Sequence, residues 1–200
     1  MKYEDDLDIE LIAGIDEVGR GCLAGPVVAA AVVMPKDRID GVKDSKKLSK
    51  KRREELSELI LDNALAYGFG IVSNGTIDEI NIKQATRKAM SIALNEVEKV
   101  LKPELVLVDA EVIQTNLPQE SLIKGDDISY NIGCASIIAK VYRDSLFEDY
   151  ADKYPGYSFE TNMGYGTKAH REAIKKIGFT SIHRMSFLGK MGDIFKNENW

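Results

Sequence analysis

The segment that decides the fold spans Leu11–Met34 and reads LIAGIDEVGRGCLAGPVVAAAVVM. Its first part, Leu11–Ile15, is apolar, and its last part, Val27–Met34, is rich in β-branched residues, so each predicts a buried strand. The stretch Gly19–Gly25 between them is glycine-rich and predicts a turn. The segment therefore predicts the strand–turn–strand beginning of a sheet.

The remaining elements are predicted from apolar spacing and from capping residues. Helices are predicted over Ser49–Leu65, from the capping box Thr76–Glu79 to Val100, over Cys134–Tyr150 and over Thr167–Ile177. Strands are predicted over Gly68–Ser73, Leu105–Val108 and Gln119–Lys124, and a loop over Gly156–Gly166. This order predicts an α/β fold in which helices cover a mixed sheet. We expect one domain over residues 1–200, with a short helical appendage from about residue 155.

Composition limits the class of protein. The 200 residues are 44% hydrophobic and 30% charged, which suits a globular domain with one core. No apolar run approaches the roughly 20 residues that a membrane span needs. The acidic beginning Met1–Glu10 does not resemble a signal peptide. Cys22 and Cys134 form no pairing motif, so we expect a reduced, cytoplasmic setting and no membrane association.

The charge distribution leaves a nucleic-acid partner open. A net charge of −5 argues mildly against one, because phosphate contacts come from Lys and Arg. Basic residues nevertheless concentrate in one short stretch: Lys36, Arg38, Lys43, Lys46, Lys47, Lys50, Lys51, Arg52 and Arg53. This stretch is either a basic patch or the solvated face of a helix.

Acidic residues stand where predicted strands end. Asp16 and Glu17 follow the first strand, Asp109 ends another, and Asp126 lies in a Gly-Asp turn before a helix. Carboxylates fixed in this way suit Mg2+, and two such ions about 4 Å apart can assist phosphodiester cleavage. Neighbours on a strand point to opposite faces, so Asp16 and Glu17 share a site only if the strand bends or one acts indirectly. The alternative is that these acids are solvated turn and cap residues.

The glycine-rich turn has two further interpretations. Gly19–Gly25 fits the G-x-G-x-x-[G/A] pattern of dinucleotide sites, but a strand follows it where such a site needs a helix. The bare backbone could instead let a substrate come close, with Arg20 near a phosphate. A plain hairpin turn is the simplest alternative.

Later residues give weaker signals. Tyr165 lies between two glycines and could stack on a sugar or base, or be an ordinary exposed loop residue. The sequence has two histidines, His170 and His183, and no Gly-x-Ser-x-Gly or Cys-x-x-Cys motif. A hydrolase triad, or a zinc site formed with the two cysteines, is poorly supported.

Taken together, these motifs resemble those of the type 2 ribonucleases H. The likeness runs from Ile12 to Phe187 through Gly14–Val32, Asp44–Leu48, Val108–Ala110, Lys124–Asp126, Ala135–Asp144, Gly164–His170 and Ile182–Phe187. It implies a ribonuclease H-like fold with extra C-terminal helices. The identity of the fourth acid, and the lack of a large domain before the signature, favour the ribonuclease HII branch over ribonuclease HIII.

The resemblance also implies residue roles. The four metal-site acids of the family correspond to Asp16, Glu17, Asp109 and Asp126, which are expected to be catalytic. The backbone of Gly19, Arg20 and Gly21 is expected to read the 2′-hydroxyl of a ribonucleotide, and Tyr165 to pack on the neighbouring sugar. Candidates for phosphate contacts or site support are Lys47, Ser136, Lys140 and Arg143, and Asp144 is expected to be a structural acid.

The expected activity follows from the same resemblance. It implies an endonuclease that uses Mg2+ or Mn2+ and two metal ions to cut the RNA strand of RNA/DNA hybrids. The enzyme would also incise 5′ of ribonucleotides embedded in duplex DNA, leaving 3′-hydroxyl and 5′-phosphate ends, and we expect it to be a monomer. Two rivals remain, a hybrid-binding module without activity and a dinucleotide-dependent oxidoreductase, and the complete acid set argues against the first.

Overall fold

A five-stranded mixed sheet forms the centre of the computed structural model, which describes residues 3–42 and 48–189. The strands are β1 (Ile12–Val18), β2 (Val27–Val33), β3 (Ala66–Val72), β4 (Leu105–Asp109) and β5 (Gln119–Leu122). Their order in the sheet is β3-β2-β1-β4-β5. The first three strands form an antiparallel meander, and β4 and β5 continue parallel to β1. The carboxyl ends of β1 and β4 therefore lie side by side.

Six helices surround or follow this sheet in the described part of the chain. They are α1 (Lys50–Asn63), α2 (Asn74–Glu98), α3 (Gly125–Ile128), α4 (Tyr130–Lys153), α5 (Phe159–Asn162) and α6 (Lys168–Ile177). Single turns of 3-10 helix occupy Tyr3–Asp6 and Met185–Phe187. None of the described helices is long and apolar enough to cross a membrane.

Strand β2 is buried along its whole length because both faces of the sheet are covered. Alternate residues, such as Ala29 and Ala31, pack in the core on the α2 face. The intervening Ala30 and Val32 pack with residues of α1 and α4. A continuous run of small and β-branched residues is what a strand covered on both faces requires.

Two glycines let helices approach the sheet closely. A Cβ atom on Gly14 of β1 would lie 2.1 Å from the backbone carbon of Asn131 in α4. A Cβ atom on Gly70 of β3 would lie 1.8 Å from the carbonyl oxygen of Ala89 in α2. Both distances are far below van der Waals contact, so these positions exclude any side chain.

The strands and long helices expected from the sequence are present, but some boundaries differ. The helix expected from Cys134 begins at Tyr130, because the Ser129 side chain accepts a hydrogen bond from the Ile132 amide and caps it. Ser73, not Thr76, caps α2. The loop expected over Gly156–Gly166 contains the one-turn helix α5. These differences arise from caps that lie outside the apolar periodicity.

Candidate active site

Three carboxylates lie together where β1 and β4 end. Ile15 pairs with Val108 in the parallel register, so the next residues along the two strands are Asp16 and Asp109. Glu17 follows on the same strand, which stays paired with β2 through Val18. β1 therefore continues past Asp16 and Glu17 to Val18. The side chains of Asp16 and Glu17 nevertheless both interact electrostatically with Asp109.

The Asp16 carboxyl group is almost fully buried, with 6% of the residue exposed. Burial raises its pKa well above the usual range, the charges of Glu17 and Asp109 add to this, and a hydrogen bond from Ser136 opposes it. The Glu17 amide also donates to Asp16 Oδ1 at 2.7 Å. The group is thus held in one orientation among other acids.

One carboxylate oxygen of Glu17 lacks a hydrogen-bond partner among the described residues. Burial raises the pKa of its carboxyl group to about 7; Arg20 counteracts the shift, while Asp109 and Glu111 add to it. Its Oε2 atom is buried and has no hydrogen-bond partner among the described residues. A buried acceptor without a partner is costly, and a cation would relieve that cost.

A backbone hydrogen bond positions Asp126 next to Asp109. The Gly125 amide donates to Asp109 Oδ1 at 2.6 Å, and Asp126 is the next residue, in the first turn of α3. A side chain on Gly125 would lie 3.2 Å from that same oxygen and 2.6 Å from Ile132. The turn that carries Asp126 is therefore positioned by Asp109 and by the lack of a side chain at residue 125.

These oxygen donors fit a hard divalent cation. The clustered charges repel one another, and one buried oxygen lacks a partner. Within residues 3–42 and 48–189, however, no three acidic, imidazole or thiol side chains are placed closely enough to form a ready-made metal site. The carboxylates are thus gathered at one edge of the sheet and offer oxygen atoms of the kind that a divalent cation accepts.

The glycine-rich turn beside the acids is held from within by two buried arginines. Arg143 donates to the carbonyl oxygens of Pro26 (3.1 Å), Ala24 (3.2 Å) and Met163 (2.9 Å). Arg184 donates to the carbonyl oxygens of Gly25 (2.9 Å) and Arg20 (2.9 Å). Gly19 has a φ of 93°, and a Cβ atom there would lie 2.2 Å from Arg143 Nε. The turn is thus a rigid, preformed loop.

A buried acid that the sequence analysis missed links Arg20 to α2. Glu111 lies 3.3 Å from Arg20 Nη2 and 3.0 Å from Arg87 Nε, and Arg20 also lies 3.5 Å from Glu17. The only sequence signal for Glu111 is its position two residues after Asp109. Arg184 was missed as well, although it lies in one of the recognised motifs, because arginine is seldom expected to be fully buried.

Tyr165 lies against the same turn. It forms a β-bridge with Cys22, and the Leu23 amide donates to the Gly164 carbonyl oxygen at 2.8 Å. The tyrosine is 38% exposed, and Lys140 Nζ lies 6.0 Å from the centre of its ring. Its ring is therefore available to a ligand beside the turn and the acids.

The structure separates the remaining candidates for substrate contact. Ser136 bonds to Asp16, which fits site support, and Lys140 Nζ donates to Asp144 at 2.6 Å. Arg143 is fully buried and bonded to backbone oxygens, which favours site support over a phosphate contact. Lys47 lies outside the described residues.

The basic stretch is largely paired where it is described. Lys36, Arg38, Lys50 and Arg52 form ion pairs with Glu10, Asp5, Glu148 and Glu55, respectively. Ion pairing of these residues favours the solvated-surface interpretation over a basic patch.

Two alternative chemistries lose their support. The strand β2 follows the glycine-rich turn, so no helix N-terminus is there to receive a pyrophosphate. Cys134 packs with the α1–α4 core, whereas His170 and His183 pack against each other and Phe159, and the described residues offer no three-ligand group for zinc.

Comparisons with known proteins identify the family of this chain. The family profile described as Ribonuclease HII matches residues 13–190. Ribonuclease HII from Alkaliphilus oremlandii is 54% identical over 187 residues, covering 91% of this chain and 92% of the relative. Ribonuclease HII from Leuconostoc mesenteroides is 57% identical over 179 residues, covering 89% of this chain and 70% of the relative.

A solved structure has the same fold as this chain. The crystal structure of ribonuclease H2 from Pyrococcus horikoshii superposes with a TM-score of 0.79 at 29% identity, covering 94% of this chain and all of that one. The expected ribonuclease H-like α/β fold is thereby confirmed. The profile match and the identity to these relatives show that the chain belongs to the ribonuclease HII family.

Proposed function

We propose that this ribonuclease H is a metal-dependent endonuclease that cuts RNA in RNA/DNA hybrids and incises 5′ of single ribonucleotides embedded in duplex DNA. The products are a 3′-hydroxyl and a 5′-phosphate. The observation that carries the proposal is the group of interacting carboxylates at the ends of β1 and β4, one of which has a buried oxygen without a partner.

The residues that would hold the cations are Asp16, Glu17, Asp109 and Asp126. Bound Mg2+ or Mn2+ supplies an activated water and stabilises the leaving oxygen, and a pair of ions can do both at once. Ser136 and the Glu17 amide fix the orientation of Asp16. The Gly125 amide does the same for Asp109. Fixed carboxylates reduce the reorganisation that accompanies catalysis.

Preference for RNA is assigned to the glycine-rich turn. Among the described residues, the backbone amides of Arg20 and Gly21 have no hydrogen-bond partner, and a Cβ atom on Gly21 would meet nothing within 4 Å. This bare, rigid backbone lets a ribose approach closely enough for its 2′-hydroxyl to be read, and only RNA carries that group. Tyr165, on the neighbouring loop, then packs against the next sugar.

The test uses an end-labelled DNA duplex that carries one ribonucleotide, with an all-DNA duplex and an RNA/DNA hybrid beside it. Each is incubated with the protein and Mg2+, Mn2+ or chelator. We expect metal-dependent incision 5′ of the ribonucleotide, cleavage of the hybrid and no cut in the all-DNA duplex. Cleavage of the hybrid alone would contradict the single-ribonucleotide activity, and chelator-resistant cleavage would contradict the metal site.

A matched pair of variants tests the acid assignment. Asp126→Asn removes a proposed ligand, whereas Asp127→Asn changes the adjacent acid in the same turn. We expect the first variant to lose roughly 100-fold or more in cleavage rate and the second to keep it, because removing a group that acts in the transition state costs on that order. Equal rates in the two variants would remove Asp126 from the site.

A further inference from the structure

The two histidines of the sequence are buried side by side behind Tyr165. His170 is in α6 and is fully buried, and His183, in the following segment, is 1% exposed. Their Nε2 atoms lie 3.1 Å apart. Neither ring takes part in the proposed chemistry, and a pair of adjacent imidazoles excluded from solvent needs an explanation.

The hydrogen bonds around the pair allow a single arrangement of protons. The Thr180 amide donates to His183 Nδ1 at 2.9 Å, so that nitrogen is an acceptor and the proton of the neutral ring is on Nε2. His183 therefore donates to His170 Nε2. His170 must then carry its proton on Nδ1, and it donates to the Tyr165 carbonyl oxygen at 2.9 Å. We name this chain of bonds the imidazole relay.

The relay ends at a residue that contacts the glycine-rich turn. Tyr165 forms a β-bridge with Cys22, and His183 itself forms a β-bridge with Ala24. The relay is thus attached to the turn both through Tyr165 and through His183.

The surroundings favour neutral rings. Tyr157, Phe159 and Phe179 pack on the pair, and the Tyr157 hydroxyl donates to the Gly178 carbonyl oxygen at 2.8 Å. Within the described part of the chain, no acidic side chain acts on either imidazole, and each ring has the other and Tyr157 as its titratable neighbours. Burial lowers the pKa of both, and that of His183 falls to about 4.

We propose that His170 and His183 are positioning residues that hold Tyr165 against the substrate through a relay that is complete only while His170 is neutral. The role rests on the proposed function, in which Tyr165 contacts the sugar. A proton added to His170 Nε2 would face the proton of His183 and break the bond between the two rings. A proton added to His183 Nδ1 would displace the Thr180 amide and turn toward the Thr180 hydroxyl at 2.8 Å, leaving the bond between the rings in place.

The protonation pattern can be tested without activity. In 15N-correlated NMR spectra of the full chain at neutral pH, we expect His183 as the Nε2–H tautomer and His170 as the Nδ1–H tautomer. Tyr157→Phe is the matched control, because it changes a ring packed on the pair and leaves the relay bonds in place. A charged imidazolium, or a His170 proton on Nε2, would overturn the relay.

Kinetics test whether the relay acts through Tyr165. An asparagine amide can take the place of Nδ1, so we expect His170→Asn to keep the bond to Tyr165 and His170→Leu to lose it. Loss of one hydrogen bond costs about 1 kcal/mol, so His170→Leu should raise KM for the single-ribonucleotide duplex roughly 5-fold, with kcat changed less. His170→Asn should recover most of this loss.

A double variant separates the two proposals. In a Tyr165→Ala background, we expect His170→Leu to add no further rise in KM, because the relay has nothing left to position. Additive effects in variants that remain folded by circular dichroism would overturn the positioning role. If Tyr165→Ala by itself leaves KM unchanged, the sugar contact in the proposed function fails, and the NMR result still decides whether the relay exists.

Discussion

At the scale of single residues, the candidate site consists of buried carboxylates whose charges lower the stability of the folded chain. Asp16 and Glu17 are buried next to one another and to Asp109, and carboxylates with pKa values raised in this way are typical of functional sites. The oxygen of Glu17 that lacks a partner among the described residues is the observation on which the proposed cation site depends most.

Replacing Asp16 should therefore stabilise the metal-free protein. Asp16→Asn keeps the acceptor for the Glu17 amide but removes a buried charge, so we expect the free energy of unfolding at neutral pH to rise by roughly 1–3 kcal/mol. Urea titration in the presence of a chelator measures this free energy of unfolding. Addition of Mn2+ should raise the unfolding midpoint of the unmodified chain but not that of the variant. A destabilised variant would contradict the electrostatic account.

The missed acid Glu111 gives a second prediction at this scale. Glu111→Gln weakens the ion pairs that join Arg20 to Arg87, so we expect Arg20 to lose its fixed position beside Glu17. KM for the hybrid should rise about 3- to 10-fold, on the order of 1 kcal/mol in binding. Steady-state kinetics check this, with Glu96→Gln on the exposed end of α2 as the control. A KM equal to that of the control would show that Glu111 does not position Arg20.

At the scale of elements, glycines decide how helices meet the sheet. Gly14→Ala would force α4 away from β1, since the added carbon would lie 2.1 Å from the Asn131 backbone. We expect a loss of stability of about 1–3 kcal/mol or more, measured by denaturant unfolding. Gly21→Ala meets no atom within 4 Å, so it should keep stability and lose preference for a ribonucleotide. Equal stability of the two variants would contradict the packing account.

Sequence periodicity predicted the elements better than it predicted their ends. The strands of the sheet were found because β1, β2 and β4 are apolar runs, and α4 was found from its inward-facing residues. The beginning of α4 was misplaced because its cap, Ser129, precedes the apolar pattern. Asp16, Glu17 and Asp109 drew attention because strand ends are visible in a sequence, whereas the metal-site role expected for them and for Asp126 came from the family resemblance. Glu111 and Arg184 were not, because their roles depend on contacts between distant segments.

At the scale of the whole molecule, the C-terminal segment is joined to the catalytic edge through buried polar groups. Arg184 bonds to the glycine-rich turn, and His183 bonds to His170 and to Thr180. These groups lie among the aromatic residues of a separate hydrophobic cluster around Phe147 and Phe159. The segment therefore cannot leave without exposing both the cluster and the carbonyl oxygens of the turn.

The buried histidines make stability sensitive to acid. The folded protein binds a proton at His183 only near pH 4, whereas the unfolded chain binds one near the ordinary pKa of 6.5. Stability is thus complete above about pH 6.5 and falls as the pH drops toward 4, by about 3 kcal/mol from this residue. Urea titrations across this range should show a shallower decline in the double variant His170→Asn/His183→Gln. Parallel curves would contradict the assignment of the decline to the pair.

The central claim is that the carboxylates at the ends of β1 and β4 perform hydrolysis and are not needed for binding. The most direct measurement compares the unmodified chain with Asp16→Asn on one labelled RNA/DNA hybrid in Mn2+, recording single-turnover cleavage and equilibrium binding together. We predict a cleavage rate lower by roughly 1000-fold or more, with affinity within about 3-fold. Full cleavage by the variant would contradict the account.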